Sequence, residues 1–340
     1  MPTLEIQFSN SNVYGVHQQK ENASKLDGKS ERKEEKLSKK KKSPSSSPRT
    51  PSLTSNNDHG RNSIPQEEPA FQQLLSKCGQ YKPEKWSSLS LDSKNIAKIG
   101  EGCYAEAFST IFNNQSVVMK VLPCRDISNG EKCGEHTQGI DAVIAELAIL
   151  KSLSALSTKN HANVTENFVK MVMAKVVIGK HPTSLLKAWD TYRVEEESEN
   201  IRPSKFNKNQ LYLVLILSKG GTALEKFKME SIDQFHSIMQ QLVYSLAIAE
   251  TELQFEHRDL HLGNVLIDKT GAEELEFVLN NRPVRIKLRG VRVTIIDFTW
   301  SRIQEGGKTI YVDTEIDTAM FEGFSDSQFD VYREMRRNCQ

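Results

Sequence analysis

Three residues in the second half of the chain have the types and spacing that phosphoryl transfer requires. Asp259 is followed five residues later by Asn264, and Asp297 follows an apolar run further along the chain. In such a site one Asp accepts the proton of the acceptor hydroxyl, while an Asn and a second Asp bind the Mg²⁺ ions that bridge the ATP phosphates. The alternative for an isolated His-Arg-Asp triplet is a solvated charge cluster. Asn264 and the apolar strand predicted at 265–267 favour the catalytic interpretation.

A phosphate-binding loop is predicted upstream of these residues. Gly100 and Gly102 follow a predicted strand that begins at Ile96, and glycines at this spacing let a hairpin backbone lie against phosphates. A GxG pattern alone is weak evidence, because many hairpins contain one. Here a second predicted strand, residues 116–122, follows and carries Lys120, the kind of residue that contacts the α- and β-phosphates.

A helix predicted over residues 141–156 supplies an acid that can pair with Lys120. Val143 and Leu147 belong to its apolar stripe, which repeats at helical spacing. Glu146 lies beside this stripe, where its carboxylate can point toward the strand lysine. The alternative is an ordinary exposed helix acid, and the neighbouring glycine loop and strand lysine favour the ion pair.

The other periodic segments predict the elements that position these residues. A near-continuous apolar run at 211–217 is typical of a buried central strand, and Lys219-Gly220-Gly221 ends it. An acidic loop at 195–200 is assigned no chemistry. The further predicted elements are strands at 168–178 and 291–296, and a hairpin with strands near 275–279 and 284–288 and a turn at 280–283.

The strongest helical pattern covers residues 232–250. We expect a core helix that leads the chain to Asp259. The apolar positions predicted to face the core are Phe235, Ile238, Met239, Leu242, Leu246 and Ala249.

Composition limits the class of protein. The chain has 340 residues, 37% of them hydrophobic, and a formal net charge of +1, so we expect no general affinity for polyanions. Five cysteines, an odd number without CxxC spacing, indicate reduced thiols. Cys124, Cys133 and His136 have the chemistry of zinc ligands, but a fourth ligand is missing. The sequence has no secretory signal pattern and no long apolar run, so we expect the protein to be neither secreted nor membrane-spanning.

Residues 1–70 are predicted to be a disordered tail, because they are poor in apolar residues and rich in Lys, Glu, Ser, Asn and Pro. Lys39 to Lys42 form an unbroken basic run, and three Ser-Pro or Thr-Pro pairs follow at residues 43–51. Two interpretations stay open. One is a nuclear-import signal flanked by proline-directed phosphorylation sites, and the other is a solvated linker.

The order of these parts resembles the eukaryotic protein-kinase superfamily, and the details resemble the haspin family. Residues 257–264 read HRDLHLGN, and residues 297–299 read Asp-Phe-Thr in place of Asp-Phe-Gly. The segments IIDFTWSR and FEGFSDSQFDVYREM are similar to haspin sequences, and nothing like Ala-Pro-Glu follows Asp297. The resemblance covers about residues 96–335.

This resemblance implies an α+β, bilobal protein-kinase-like fold. A kinase domain at 71–340 would divide into a small β-rich N-lobe at about 93–217 and a helical C-lobe at about 218–340, with an activation segment ordered without phosphorylation. Haspins are nuclear, chromatin-associated Ser/Thr kinases that use ATP and Mg²⁺. The implied partners are ATP and a protein substrate, with the histone tail whose third residue is Thr as the candidate, and neither sequence-specific nucleic-acid binding nor a membrane is implied.

The resemblance also implies roles for individual residues. The implied catalytic residues are Asp259 as base, Lys120 with Glu146 at the phosphates, and Arg258 as a brace of the catalytic loop. Asn264 and Asp297 would bind Mg²⁺, and Asp317 would bind a Lys of the substrate. The nucleotide would be bound by Ile99, Gly100, Glu101, Gly102, Cys103, Tyr104, Ala105, Lys120 and Leu217.

Three positions depart from the family pattern. Ala105 replaces the third glycine of the loop and disfavours positive φ by about 1 kcal/mol, so we expect poorer closure over ATP. Ala223 replaces an acid that receives the substrate Arg, and Ala319 replaces an acid two residues after Asp317. A lost desolvated acid costs about 2–5 kcal/mol of binding, which predicts weaker recognition of the histone tail.

The last residue, Gln340, falls inside an expected helix of the large lobe. We therefore expect a truncated C-lobe and an exposed apolar patch, formed by Phe329, Val331, Tyr332 and Met335.

Three functions remain open at this point. The complete set of metal, phosphate and base residues favours an active haspin-like Ser/Thr kinase. The early end and the three alanines favour a catalytically impaired, haspin-like module that binds nucleotide or chromatin. A small-molecule kinase of the same superfamily would use the same Asp259–Asn264 geometry.

Overall fold

The computed structural model describes residues 68–102, 104–125, 136–158, 162–196, 198, 200–313, 319–323 and 327–338. The described residues divide into two compact units, one within residues 67–316 and one within residues 317–340. The strands of the first unit are β1 (Glu84–Lys85), β2 (Ala97–Glu101), β3 (Glu106–Phe112), β4 (Gln115–Arg125), β5 (Gln138–Gly139), β6 (Met171–Ile178), β7 (Leu211–Ser218), β8 (Thr222–Ala223), β9 (Val265–Lys269), β10 (Glu274–Leu279), β11 (Arg282–Lys287), β12 (Val291–Ile295), β13 (Arg302–Glu305) and β14 (Lys308–Tyr311). Its helices are α1 (Ala70–Lys77), α2 (Ile140–Ala155), α3 (Thr183–Glu196) and α4 (Ile232–Leu253).

One large sheet positions the predicted phosphate-binding residues. Its strand order is β1-β6-β7-β4-β3-β2, with β5 beside β4. One face packs against α2, and the other is covered by α3 and by a turn at Trp86–Leu89. Because both faces are buried, β7 reads as a near-continuous apolar run, as the sequence predicted. The mixed architecture confirms the predicted α+β class.

Helix α3 was not predicted from the sequence. It lies in the connection between β6 and β7, where we expected only an acidic loop at 195–200. Its buried residues are Leu185, Ala188 and Trp189, which cover one turn and a half of a helix of 14 residues. So short an apolar stripe gives too little periodicity for a sequence-based assignment.

Helix α4 forms where the sequence predicted it, and Ile238 and Ala249 are buried as predicted. Ser231 caps its first turn by accepting a hydrogen bond from the Gln234 amide at 3.2 Å. Phe235 and Met239 are 41% and 42% exposed, so their predicted core positions are wrong. The buried face includes Gln241, whose side chain bonds the main chain of the sheet edge.

Part of the buried face of α4 is polar because it covers a strand that needs hydrogen bonds. Gln241 Nε2 donates to the carbonyl of Val291 at 3.1 Å, and its Oε1 accepts from the amide of Val293 at 2.9 Å. Strand β12 lies at the edge of the sheet β12-β9-β8, so these groups have no neighbouring strand. The glutamine therefore takes the place of a strand, and the apolar residues of α4 are displaced from part of the interface.

The predicted hairpin is confirmed as β10 and β11. Leu279 pairs with Arg282, so Asn280 and Asn281 alone form the turn. Their φ values are 52° and 58°. A two-residue turn of this kind needs positive φ at both positions, and Asn tolerates it better than most residues.

The second unit contributes two described helices, α5 (Ala319–Glu322) and α6 (Ser327–Asn338). Arg333 Nη1 donates to the carbonyl oxygens of Phe321 and Gly323 at 3.1 and 2.7 Å, which ties α6 to α5. The expected exposed patch is wrong for Tyr332, which is buried, while Val331 is exposed. Among the residues that the structure describes, every helix is too short or too polar to cross a bilayer.

Candidate active site

Lys120 lies at the centre of the candidate site, between two carboxylates from distant parts of the chain. Strand β4 carries the lysine, and its Nζ lies 2.7 Å from Glu146 Oε1 on α2. The same Nζ lies 3.1 Å from Asp297 Oδ1, just after β12. The structure therefore brings together the strand lysine, the helix acid and the second Asp that the sequence singled out.

The opposite charges of this cluster keep one another ionised. Burial alone would raise the pKa of Asp297, but the Lys120 ammonium and hydrogen bonds from Thr299 and Lys120 outweigh it and hold the pKa at about 2. Burial likewise opposes the charge on Lys120, and the two carboxylates outweigh it and raise the pKa. All of this favours an ionised lysine and an ionised Asp297 near neutral pH.

Thr299 links the two carboxylates, and its role was not predicted. Its Oγ1 lies 2.7 Å from Asp297 Oδ1 and 3.2 Å from Glu146 Oε2. A hydroxyl has one proton, so it donates to one of these carboxylates at a time. The sequence shows Thr299 in place of the glycine of Asp-Phe-Gly, and this departure marked the position as unusual. The signal did not indicate which groups it would contact.

The loop predicted to be catalytic, from Asp259 to Asn264, is held by hydrogen bonds of its own and adjacent residues. Asn264 is buried, and its Nδ2 donates to the carbonyl of Asp259 at 2.9 Å. Arg258 adopts a φ of 64°, and its Nε donates to Glu256 Oε2 at 2.9 Å. His261 Nδ1 accepts from the amide of Gly263 at 3.1 Å. Asp259 and Asn264, predicted as base and metal ligand, are thus held together by a direct bond.

A cluster of aromatic rings underlies the loop that carries Asp297. The Phe298 ring lies 5.8 Å from the His257 ring and 6.2 Å from the Phe255 ring, measured between centroids. His257 Nε2 donates to the carbonyl of Ile296 at 3.1 Å. Burial lowers the pKa of His257, which favours its neutral form. The two loops are therefore joined by packing and by a main-chain bond.

The oxygen atoms of Asn264 and Asp297 fit a hard cation such as Mg²⁺. The Asn264 Nδ2 is used by Asp259, which leaves its Oδ1 for a ligand. Lys120 and Thr299 both contact Oδ1 of Asp297, which leaves Oδ2. Mg²⁺ is commonly held by one or two protein oxygens with phosphate oxygens and water as the other ligands. Among the described residues, no group of three or more His, Cys, Asp and Glu is placed to hold a metal alone.

The zinc interpretation is not supported by the described part of the chain. Cys124 is buried in β4, where burial raises the pKa of its thiol to about 12. A thiol must lose its proton to bind zinc, so this environment disfavours coordination. Cys133 lies outside the described residues.

The segment after β7 requires its two glycines. Gly221 has a φ of 100°, and a Cβ there would lie 2.2 Å from the carbonyl oxygen of Ile267. A Cβ on Gly220 would lie 2.8 Å from Leu266 Cδ1. These close approaches let β8 pair with β9 directly after the turn. Leu217, a predicted nucleotide contact, is nearly buried at the end of β7.

The predicted glycine-rich loop joins β2 to β3. The amide of Gly102 donates to the carbonyl of Ala105 at 2.8 Å, which closes the turn at its tip. Ala105 is buried and does not adopt positive φ, so the expected strain at this position is wrong. Gly100, Glu101 and Gly102 border this turn. The remaining predicted contacts are the exposed Ile99 and the half-buried Tyr104.

The predicted substrate-binding residues are only partly described. Ala223 is half-buried in β8, opposite Leu266 of β9. Asp317 and Cys103 lie outside the described residues, and so does the side chain of Ala319.

A strand lysine that pairs with a helix glutamate and with a second Asp, together with an Asp–Asn loop, is the set of residues that a protein kinase site uses. The family model of the haspin-like kinase domain matches residues 5–340. This chain belongs to the haspin-like kinase family.

Curated relatives show the same affiliation. The chain is 38% identical over 277 residues to the serine/threonine-protein kinase haspin of Bos taurus, a match that covers 79% of this chain and 35% of the relative. It is 34% identical over 278 residues to the haspin homolog of Drosophila melanogaster, covering 78% and 48%, and 35% identical over 269 residues to that of Arabidopsis thaliana, covering 77% and 44%. The matched part of the chain thus spans between a third and a half of the length of these relatives.

Proposed function

We propose that this protein is an ATP-dependent protein serine/threonine kinase. The observation that carries the proposal is the ion-paired cluster of Lys120, Glu146 and Asp297. Lys120 Nζ lies 2.7 Å from Glu146 Oε1 and 3.1 Å from Asp297 Oδ1. In this family of sites a lysine–glutamate pair and a metal-binding Asp must be in place together for transfer. The hydrogen bond from Asn264 Nδ2 to the main-chain carbonyl of Asp259 also supports the proposal, because it fixes the two loop residues relative to each other.

Asp259 is the base in the proposed reaction. It accepts the proton of a Ser or Thr hydroxyl as the hydroxyl oxygen forms a bond to the γ-phosphorus and the bond to the β–γ bridging oxygen breaks, releasing ADP. Lys120 compensates charge on the α- and β-phosphates and is oriented for this by Glu146. Asn264 and Asp297 would hold Mg²⁺, which would neutralise part of the phosphate charge.

The acceptor we propose is a Ser or Thr in a protein, with a histone tail as the candidate. The curated relatives are named serine/threonine-protein kinases, which supports a protein acceptor. Ala223 lacks the carboxylate expected to receive the Arg next to the acceptor, and a missing partner for a substrate cation costs about 2–5 kcal/mol. We therefore expect little dependence on that Arg. The basic run Lys39 to Lys42 supports a nuclear location.

The test is phosphate transfer from radiolabelled Mg·ATP by the full chain. The acceptors are a histone-tail peptide, the same peptide with its Arg replaced, and a degenerate Ser/Thr peptide library. Asp259→Asn should reduce transfer by about 10²–10⁴-fold, because it removes the base. Asp268→Asn is the matched control, since Asp268 is exposed on β9 and belongs to no part of the site. Equal activity of wild type and Asp259→Asn would remove that residue from its role.

A further inference from the structure

The connection between β6 and β7 contacts the glycine-rich loop. This connection, residues 179–210, contains α3 and is described apart from residues 197 and 199. Leu185 and Ala188 belong to the buried core on the outer face of the large sheet, together with Phe108 of β3. Helix α3 is thereby fixed to the strands that border the loop, and its C-terminal end leads back toward the loop.

Lys98, on the strand that leads into the loop, is held by α3. It forms ion pairs with Glu101 and Glu106, and its own side chain is fully buried. Its Nζ lies 5.2 Å from the centre of the Trp189 ring and 4.5 Å from that of Tyr192. Trp189 Nε1 also donates to Glu106 Oε1 at 3.2 Å. The two aromatic rings of α3 therefore cover an ion cluster at the base of the loop.

Two polar residues that follow α3 form hydrogen bonds with residues of the loop. Ser198 Oγ donates to Glu101 Oε2 at 2.6 Å. Asn200 Nδ2 lies 3.2 Å from the carbonyl oxygen of Gly102 and 3.3 Å from Glu106 Oε1. The first two contacts reach residues predicted to bind nucleotide, and the Gly102 contact is to the main chain at the turn.

An ion pair within the connection joins two parts of this segment to each other. Arg202 donates from Nε and Nη2 to the two carboxylate oxygens of Asp190, at 2.6 and 2.8 Å. The pair joins α3 to the start of the return to β7, so Ser198 and Asn200 lie within a closed ring of chain. Two parallel bonds fix the orientation of the partners as well as their distance.

We propose that Ser198 and Asn200 are positioning residues that hold the glycine-rich loop, residues 99–105, over the nucleotide phosphates, so that the β6–β7 connection sets the affinity for ATP. The inference rests on the proposed kinase function. Glycines lose more backbone entropy than other residues when a loop becomes ordered. A loop that is already tethered loses less on binding, and the nucleotide is bound more tightly as a result.

The experiment compares wild type with Ser198→Ala/Asn200→Ala, with Asn200→Ala alone, and with Ser198→Thr, which keeps the hydroxyl. Asn209→Ala is the matched control, because Asn209 is exposed on the same connection. We expect the KM for ATP of the double variant to rise about 10-fold, with kcat within about twofold of wild type, since each lost bond weakens only the tether. Ser198→Thr and Asn209→Ala should keep the wild-type KM.

Two readouts that need no phosphate transfer separate this inference from the proposed function. Calorimetry measures the Kd of Mg·ATP, and amide hydrogen exchange measures opening of residues 99–105 in the protein without nucleotide. We expect weaker binding and about 10-fold faster exchange in the double variant. Unchanged binding and exchange would overturn the inference whether or not the wild type transfers phosphate. A loss of kcat and of thermal stability that Asn200→Ala shares, with KM unchanged, would overturn it as well.

Discussion

In the described part of the large sheet, two lysines, one on each face, are each paired with two carboxylates. Lys120 of β4 pairs with Glu146 and Asp297, and Lys98 of β2 pairs with Glu101 and Glu106. Lys98 pairs across the strands with Phe108, which belongs to the core on the α3 face of the sheet. Lys120 pairs with Leu215, which belongs to the core on the α2 face. The chemistry of the two clusters is the same, but their surroundings differ.

The difference is whether the charges can exchange partners. The Lys98 side chain is 0% exposed and lies beneath two aromatic rings, and both its carboxylates are in the same hairpin. The Lys120 carboxylates are 26 and 177 residues away, and the Asp297 side chain is 30% exposed. A cluster assembled from separate elements, with one side open, can admit a phosphate and a cation. A sealed cluster made by one hairpin can only hold that hairpin in place.

The largest expected effect tests the open cluster. Lys120→Met should lower kcat/KM for phosphate transfer by about 10²–10³-fold, as expected for a removed charge partner of the transferred group. The free energy of unfolding should change less than transfer does, because Asp297 and solvent can rearrange at the open side and only the buried Glu146 is left without its cation. Radiolabel transfer and urea denaturation measure the two quantities. A variant with more than a tenth of the wild-type activity would contradict the assignment.

The reverse pattern is expected for the sealed cluster. Lys98→Met leaves the buried Glu106 and the partly exposed Glu101 without their cation, and the loss of a buried partner typically destabilises by about 3–5 kcal/mol. Urea denaturation of the full chain measures this. Adding Glu101→Gln and Glu106→Gln should recover most of the stability, because the unpaired charges are removed. A single variant as stable as wild type would show that Lys98 is not needed to balance those acids.

A smaller effect is expected at Thr299, which joins the two carboxylates of the open cluster. Thr299→Val keeps the shape and removes the hydroxyl, and bonds to charged groups contribute about 1.5–3 kcal/mol each. We expect kcat to fall about 10-fold with an unchanged KM for ATP. Thr299→Ser should restore kcat. If Val and Ser behave alike, the hydroxyl does not position Asp297 or Glu146.

The smallest effect concerns stability in acid. The pKa of Asp297 is held at about 2, below its usual range, so the unfolded chain binds the proton first as the pH falls. The stability that Asp297 contributes is therefore complete above about pH 4 and is lost as the pH falls toward 2. The difference in unfolding free energy between wild type and Asp297→Asn should shrink across this window. A difference that stays constant from pH 5 to pH 2 would show that the carboxylate is not held by Lys120.

The amino-acid sequence by itself determined the parts of the molecule that depend on spacing along the chain. The loop from Asp259 to Asn264, the strand with Lys120 and the turn at Asn280 were all predictable. Each depends on near neighbours: a tight loop, an apolar run or a backbone conformation with positive φ. The family affiliation followed from the same local motifs, and the α+β class followed with it.

Only the tertiary structure decided which polar residues would be buried and against what. Gln241 faces inward because β12 is a sheet edge, and Thr299 matters because α2 brings Glu146 beside it. Ser198 and Asn200 lay in a segment to which the sequence assigned no chemistry, and they contact a loop almost a hundred residues earlier. A polar side chain is stable inside a protein only where a partner meets it, and that partner comes from elsewhere in the chain. The spacing of residues along the chain does not show which distant residue will be that partner, so only the fold determines these contacts.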